Sequence, residues 1–221
     1  MASGAMKAAY LALQPDFERS SGHRVVTAWL PTVQILGRLR SGEKIDLLVL
    51  AASTIDELID AGMVTPGGRI DLAQCGIGAA VRAGAPRPDI GSPEAFKRTL
   101  LSAQSIAYST GPSGVHLLDL IAQLGIVDAL KSKMIRANAE PTGALVARGE
   151  AQLGFQQVCE LLPVPGIDFL GPLPEPLQKY TTFSAGVHVN AAHADAARAL
   201  AAFIAAPAAA HAIRQQGMIP C

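Results

Sequence analysis

The sequence predicts an α/β protein built as two lobes. Short apolar segments alternate with segments of helical spacing along most of its 221 residues, a length of about 1.5 typical domains. Two longer extended segments, near 76–84 and 180–188, separate these blocks, and we expect the chain to cross between lobes there. The predicted boundaries are therefore 1–78 plus 186–221 for lobe I and 79–185 for lobe II.

The first part of the chain alternates between helical and extended patterns. Apolar side chains recur at helical spacing from Met6 to Phe17, which predicts a helix over 5–19. The continuous apolar run 45–50 is typical of a strand buried on both faces of a parallel sheet. By the same criteria we expect extended segments at 25–29, 44–50 and 70–83, and helices at 31–40 and 54–61.

The second part repeats this alternation with clearer helix boundaries. Ser92 followed by Pro93 is an N-terminal signal for a helix over 93–101. Gly125 ends an apolar helix that begins near Ser113. The same reasoning predicts strands at 105–108, 151–156, 167–170 and 180–189, and helices at 113–124, 142–148, 192–205 and 208–215.

Charge and hydropathy exclude several classes of protein. Eighteen Lys and Arg balance eighteen Asp and Glu, so the chain lacks the basic surface of a nucleic-acid binder. The longest apolar stretch, between Arg198 and Arg214, contains Pro207 and His211 and is too short to span a bilayer. The N-terminus has no basic segment followed by an apolar one, so we expect no signal peptide in the chain as written.

The cysteines and histidines show no spacing of a metal or disulfide site. Cys75, Cys159 and Cys221 are far apart and odd in number, and the five histidines are scattered. We therefore expect no metal and no cofactor. The interval from Gly111 to Gly114 fits neither a phosphate-binding loop nor a nucleophile elbow, so these two enzyme classes are not indicated.

Three segments have the form strand, small polar loop, helix: 2–5, 51–54 and 109–114. The start of a helix presents unpaired N–H groups and a positive dipole end, which together bind anions without a charged side chain. Each serine or threonine could instead be only an N-cap. The signal is most specific at Ser113, because Gly111 and Gly114 around it lower helix stability and would be unusual as packing alone; ligand binding and capping both stay open there.

Amide, carboxylate and phenol side chains supply further candidates. Gln156 and Gln157 stand at a predicted strand end, where alternation lets only one of them face a ligand. Glu160 follows closely and is a candidate general base, or an ordinary surface carboxylate. Tyr180 begins the second crossing segment and could close over a ligand.

Several motifs, in their order along nearly the whole chain, resemble the periplasmic molybdate-binding-protein-like family, the solute-binding proteins of bacterial ABC importers. Individually the motifs are weak, but their order and spacing carry the resemblance. They are Ser3-Gly4-Ala5-Met6, the segments 40–46, 107–114 and 149–155, and the closing segments 171–174 and 217–220.

The resemblance implies a type II periplasmic-binding fold, in which two hinged α/β lobes close on one small anion in the inter-lobe cleft. It also implies a periplasmic location, membrane subunits of an ABC importer as partners, and a monomer. Carried over by position, the ligand contacts would fall on Ser3, Thr32 or Val33, Ala51 or Ala52, Ser113 or Gly114, and Gln156. Together with the loop residues and the tyrosine discussed above, the predicted substrate-binding residues are Ser3, Gly4, Ala5, Thr32, Ala51, Ala52, Ser109, Ser113, Gly114, Gln156 and Tyr180.

Two departures from the family refine this expectation. Gln156 and Gln157 replace an apolar residue and a tyrosine, which favours a small organic carboxylate over an oxyanion such as molybdate. Some relatives resemble isomerases of tricarboxylates such as aconitate, so the alternative is an isomerase with Glu160 or a serine at the cleft as proton-transfer group. Family members also carry a signal peptide and a full strand before the first loop, so we expect a truncated start or a cytoplasmic form.

Overall fold

The computed structural model describes residues 1–138 and 140–221, which form two compact units. Unit 1 comprises Met1–Cys75 and Thr181–Cys221, and unit 2 comprises Gly76–Tyr180. Unit 1 is therefore built from both ends of the chain, whereas unit 2 is continuous.

Strands and helices alternate along the described residues. The strands are β1 (Leu47–Ala51), β2 (Ile70–Cys75), β3 (Ile77–Arg82), β4 (Ile106–Ser109), β5 (Met134–Ala137), β6 (Leu153–Gln157), β7 (Ile167–Pro172), β8 (Thr181–Val187) and β9 (Ile219–Pro220). The α-helices are α1 (Lys7–Ser21), α2 (Thr32–Arg40), α3 (Ala52–Asp60), α4 (Pro93–Ser102), α5 (Pro112–Gln123), α6 (Val127–Leu130), α7 (Thr142–Ala147), α8 (Val158–Leu161), α9 (Ala194–Ala205) and α10 (Ala210–Gln215). Short 3-10 helices cover Gly4–Met6, Glu175–Leu177 and Pro207–Ala209.

The sheet of unit 1 has the order β1-β8-β2-β9, and each neighbouring pair is antiparallel. The apolar run predicted as a strand of a parallel sheet therefore pairs differently on its two sides. Leu48 lies opposite Gly186 in the antiparallel ladder, while Val49 forms a parallel bridge with Ala2. Burial on both faces remains correct, because Leu48 and Leu50 on one face and Val49 on the other are all buried.

The sheet of unit 2 has the order β5-β4-β6-β3-β7. The three strands β5, β4 and β6 are parallel to one another, and β3 runs antiparallel to both of its neighbours. Phe96 of α4 packs edge-on against Phe155 of β6, with ring centroids 5.7 Å apart, in a core that includes Leu100 and Leu117. This core fixes the strand ends on which the candidate residues lie.

Local signals predicted the helix boundaries and most of the strands well, but not the short strands β5 and β9. The Ser92 hydroxyl accepts a hydrogen bond from the Ala95 N–H at 3.1 Å, which confirms the predicted cap of α4. The segment predicted as extended over 70–83 is two strands separated at Gly76, one in each unit. The predicted strand at 25–29 is wrong beyond a single bridge at Trp29.

The lengths of the helices agree with the expectation that the longest apolar stretch is too short to span a bilayer. No single helix in the described ranges is long and apolar enough to cross a bilayer. One bent pair, 194–205 with 207–215, meets the length and composition limits only when both helices are counted together.

Candidate functional site

Three helices of unit 1 begin just after three parallel chain segments, which contain Ala2, Trp29 and Val49. Ala2 bridges both Trp29 and Val49 in parallel, so the three segments point the same way. The Ala2 N–H donates to Ala28 O at 3.0 Å, and the Ser3 N–H donates to Val49 O at 3.0 Å. The first segment continues through the 3-10 helix Gly4–Met6 into α1. The second leads into α2, and the third leads into α3.

None of these three helix starts, as the structure describes them, is capped by a side chain. Ser3, Pro31 and Ala51 occupy the capping positions and make no side-chain hydrogen bond to the helix. The unpaired N–H groups of a helix start carry partial positive charge and stabilise a nearby anion. The six predicted residues of this unit lie at these starts, namely Ser3, Gly4, Ala5, Thr32, Ala51 and Ala52.

The Ser3 hydroxyl is the most informative atom of this edge. Its oxygen is buried and has no hydrogen-bond partner, and it is the one such side-chain atom found among residues 1–138 and 140–221. A buried polar group without a partner costs about 1–3 kcal/mol. Because Ser3 does not cap the helix either, the capping explanation that the sequence left open does not apply to it.

Unit 2 offers a comparable edge at the carboxyl ends of its parallel strands. In an open α/β sheet these ends face the crevice where ligands bind. β4 leads through 109–111 into α5, and β6 ends at Gln157 before α8. Thr142, which begins α7 at the predicted helix start, was not among the predicted site residues, because a threonine there has no pattern that distinguishes it from an N-cap.

Two serines meet at the start of α5. The hydroxyls of Ser109 and Ser113 lie 2.8 Å apart, and the Gly111 N–H donates to the Ser109 hydroxyl at 3.3 Å. Ser113 is 1% exposed, and Gly111 occupies the uncapped capping position of α5. The two hydroxyls therefore share one hydrogen bond and keep further lone pairs for another group.

Gly114 has a packing role that the sequence analysis did not expect. A Cβ built at Gly114 would lie 1.7 Å from the carbonyl oxygen of Ser109. Only glycine lets α5 approach the end of β4 this closely. The flanking glycines were interpreted as unusual for packing, and for Gly114 that interpretation is wrong.

The amide of Gln156 is engaged inside unit 2. Its Oε1 accepts hydrogen bonds from the Thr142 N–H at 2.8 Å and the Thr142 hydroxyl at 2.9 Å, and the amide also hydrogen-bonds the Glu160 carboxyl. Gly154 makes this contact possible, because a Cβ there would lie 2.7 Å from the Val146 side chain of α7. Both Gln156 and Gln157 are buried, because β6 lies between β4 and β3 inside its sheet. That only one of the two faces a ligand stays a prediction.

Burial dominates the electrostatics of this cluster. Desolvation raises the pKa of Glu160 from 4.5 to about 7, and the hydrogen bond from Gln156 opposes that shift. A carboxyl with this pKa carries a proton in about half of the molecules at neutral pH. Such a group can accept or donate a proton under ordinary conditions.

Tyr180 lies at the end of unit 2. Its hydroxyl donates to Glu175 Oε1 at 3.1 Å, and its ring packs against Gly76. The Gly76 carbonyl in turn accepts from the N–H of Val158, the first residue of α8. A ligand-binding role for Tyr180, as for the other predicted residues, stays a prediction.

Metal binding finds no support in the arrangement of ligating side chains. In the part of the chain that the structure describes, no three His, Cys, Asp or Glu residues are grouped to hold an ion. Cys75 and Cys159 are buried cysteines outside any disulfide, and Cys221 is exposed.

Comparison with known sequences places this arrangement in a family. The model of the family of bacterial extracellular solute-binding proteins matches residues 1–219. A protein named aconitate isomerase, from a Pseudomonas species, is 41% identical over 228 residues, covering 100% of this chain and 86% of that protein. The molybdate-binding protein ModA of Azotobacter vinelandii is 27% identical, covering 91% of this chain and 81% of its own.

A solved structure shows the same fold. The Azotobacter vinelandii periplasmic molybdate-binding protein superposes with a TM-score of 0.81 at 18% identity, covering 99% of this chain and 96% of that one. The expected type II periplasmic-binding fold is therefore confirmed. With the family match over almost the whole chain, this protein belongs to the bacterial extracellular solute-binding proteins and resembles their molybdate-binding members.

Proposed function

We propose that this protein is a solute-binding protein for a small organic carboxylate. The observation that carries the proposal is the buried, unpartnered Ser3 hydroxyl at an edge where three helices begin uncapped. A ligand oxygen beside Ser3 would supply the missing hydrogen bond and would lie at positive helix ends. Amide and hydroxyl dipoles of this kind hold an anion without a neutralising side chain.

Two observations favour an organic acid over molybdate. The relative named for aconitate, a tricarboxylate, is 41% identical, whereas the molybdate-binding relative is 27% identical. Unit 2 also supplies Glu160, whose pKa of about 7 lets it donate a hydrogen bond to a carboxylate when protonated.

The biological setting of the proposal follows the family. We infer a periplasmic location, membrane subunits of an ABC importer as partners, and a monomeric state. Fractionation of cells that express the natural gene, followed by detection of the protein, tests the location. Recovery in the cytoplasm alone would contradict transport as its role.

A thermal-shift series tests the binding function. We expect one of citrate, cis-aconitate or trans-aconitate to raise the melting temperature in a saturable way, and molybdate, tungstate and sulfate to act more weakly. A ligand at 100 times its Kd adds about 2.7 kcal/mol to the free energy of unfolding. No shift with any of these anions at millimolar concentration would overturn the proposal.

Two serine variants provide a matched comparison for this series. Ser3→Ala removes the unpartnered hydroxyl and should weaken binding about tenfold or more while the unliganded protein stays as stable. Ser92→Ala removes a hydroxyl that caps α4, so it should lower stability by about 1 kcal/mol and leave the Kd unchanged. Equal losses of affinity in both variants would contradict a specific role for Ser3.

A second candidate function is isomerisation of the bound acid. It is favoured by the 41% identical relative named aconitate isomerase and by the buried Glu160 carboxyl. The double bond of such an acid moves when a base removes a proton from the CH2 carbon next to it and the protonated base then returns a proton to the far carbon of the original double bond. A carboxyl with a pKa near the working pH suits both halves of this transfer.

Proton NMR in D2O tests the isomerisation directly. We expect trans-aconitate to convert to its cis isomer with deuterium entering the product, and Glu160→Gln to slow this at least about a hundredfold. Glu150→Gln, which removes an exposed carboxylate bonded to Arg148, is the control and should not slow it. Binding without conversion would exclude the enzyme and leave the binding function intact.

A further inference from the structure

The orientation of the Gln156 amide is fixed by the backbone of Thr142. A backbone N–H can only donate, so the Gln156 atom 2.8 Å from Thr142 N must be the amide oxygen. The Thr142 hydroxyl donates to the same oxygen at 2.9 Å, which occupies its second lone pair. The NH2 group of Gln156 is left to hydrogen-bond the Glu160 carboxyl.

This arrangement leaves Gln156 little capacity to bind a ligand itself. Thr142 is fully buried and Gln156 is 5% exposed, and both lone pairs of the amide oxygen are used. Thr142 begins α7 and Glu160 lies in α8, so a single amide connects the starts of two helices at the end of β6. The side chain predicted to bind substrate is thus committed to holding another residue.

We propose that Gln156 is a positioning residue, held by Thr142, that orients the Glu160 carboxyl for proton transfer to and from the bound acid. The inference rests on the proposed function, in which Glu160 exchanges the proton. It replaces the direct ligand contact expected for Gln156 with an indirect role.

The pKa of Glu160 is determined by burial and by the hydrogen bond with Gln156, and not by nearby charged groups. α8 packs against β3, β6 and α7, and the titratable groups on or beside these elements are Arg82, Arg148 and the Cys159 thiol. Arg82 ends β3 opposite Ile167, away from the Ile77 end that pairs with β6 beside α8. The Arg148 guanidinium follows the last turn of α7 and is engaged with two glutamates, Glu140 and Glu150.

Titration of Glu160 in the ligand-free protein tests the positioning role. Carbon NMR of protein labelled at glutamate carboxyls, with Glu160→Gln to assign the signal, gives the midpoint directly. Gln156→Leu removes the donor to the carboxylate and should lower the acid dissociation constant of Glu160 about tenfold. Gln152→Leu, a change at a glutamine whose oxygen is bonded to the Gln104 N–H instead, should leave it unchanged.

A second variant keeps the test informative if Gln156→Leu does not fold. Thr142→Val removes the hydroxyl donor but keeps the backbone N–H, so the amide is held less firmly and the dissociation constant should fall about two- to threefold. Thr142→Ser retains both donors and should restore the wild-type midpoint. An unchanged Glu160 midpoint in every folded variant at Gln156 and Thr142 would overturn the inference.

Kinetics with trans-aconitate separate positioning from ligand binding. Gln156→Leu should lower kcat at least about tenfold and move the pH optimum upward, with the Kd for trans-aconitate within about threefold of wild type. A large rise in Kd with an unchanged pH profile would instead assign Gln156 to the ligand and overturn the inference. Absence of any binding by wild type would overturn the proposed function. The titration without ligand tests the Gln156–Glu160 link separately, so the two failures can be told apart.

Discussion

The two units present similar edges that differ in what their polar side chains do. In unit 1 three helices begin uncapped, and the Ser3 hydroxyl at the first of these starts is buried without a partner. In unit 2 the corresponding hydroxyls and amide bond to one another, as Ser109 does with Ser113 and Gln156 does with Thr142. The unpaired Ser3 hydroxyl thus lowers the stability of unit 1, and a hydrogen bond from a ligand would remove that cost. In unit 2 the polar side chains named here already have hydrogen-bond partners, and Gln156 also contacts the titratable carboxyl of Glu160.

This difference shows how one fold can combine binding with chemistry. Dipoles from helix starts attract any small anion, so a unit built only from them selects by size and charge. A desolvated carboxyl such as Glu160 adds a proton that can be exchanged near neutral pH. We therefore expect substitutions in unit 1 and in unit 2 to have different effects on stability and on its pH dependence.

The largest effect is expected from a glycine in unit 2 that allows two backbones to meet. Gly114→Ala would place a methyl group 1.7 Å from the Ser109 carbonyl oxygen, so α5 must move and the free energy of unfolding should fall by about 4 kcal/mol or more. Gly37→Ala, in the exposed part of α2 with nothing within 4 Å, should raise it by about 0.5–1 kcal/mol. Urea denaturation measures both, and a near-neutral Gly114→Ala would refute the packing role.

The second prediction concerns the pH dependence of stability that Glu160 imposes. Its pKa is raised to about 7 in the folded state, so between pH 4.5 and 7 the folded protein keeps a proton that the unfolded chain has lost. Stability should therefore fall as pH rises through this window, by about 3 kcal/mol in total. Glu160→Gln removes the titration, so its free energy of unfolding relative to wild type should rise by that amount from pH 4.5 to 8.

A carboxylate with the opposite shift provides the control for that experiment. Arg148 lowers the pKa of Glu150, so the pair stabilises the folded state above pH 4.5 and the effect is lost in acid. Glu150→Gln should thus lower stability above pH 4.5 only. If Glu160→Gln shows the same trend as Glu150→Gln, the buried state assigned to Glu160 is wrong.

The sequence predicted those parts of the site that depend on local signals. Ser3, Ala51 and Ser113 stand next to helical spacing, and each does lie at the start of a helix. Their arrangement at common strand ends followed from the α/β pattern and from the family resemblance. Whether a serine caps its helix, as Ser92 does, or leaves its hydroxyl unpaired, as Ser3 does, depends on backbone geometry that residue order does not reveal.

The parts that were missed depend on contacts across the sheet. Thr142 reaches Gln156 because β6 and the start of α7 are brought together by a glycine, Gly154, whose role is visible only in three dimensions. The helix that begins at Thr142 is predicted, but its contact with Gln156 is not, because residue order does not show which side chains meet across the sheet. Gly114 was likewise misinterpreted, because close approach between backbones has no sequence signature.

The third prediction compares threonines in the two units. Thr142→Val removes a buried hydroxyl bonded to Gln156 Oε1, and Thr65→Val removes one bonded to Val187 O in unit 1. Each loss should lower the free energy of unfolding by about 1 kcal/mol. Only Thr142→Val should also move the pH window in which stability changes, since only Thr142 acts on the residue that holds Glu160. Denaturation at several pH values separates the two, and identical pH profiles would remove Thr142 from the cluster.

The smallest effect on stability, and the sharpest on function, is expected at Ser3. Its hydroxyl is buried without a partner, so Ser3→Ala should leave the unliganded protein as stable as wild type or raise its free energy of unfolding by about 1 kcal/mol. Ser113→Ala in unit 2 should instead lower it by about 1 kcal/mol, because that hydroxyl bonds Ser109. Ser3→Ala should also bind the anion less tightly, which its thermal shift with the ligand measures. A destabilised Ser3→Ala would show that its hydroxyl serves the fold.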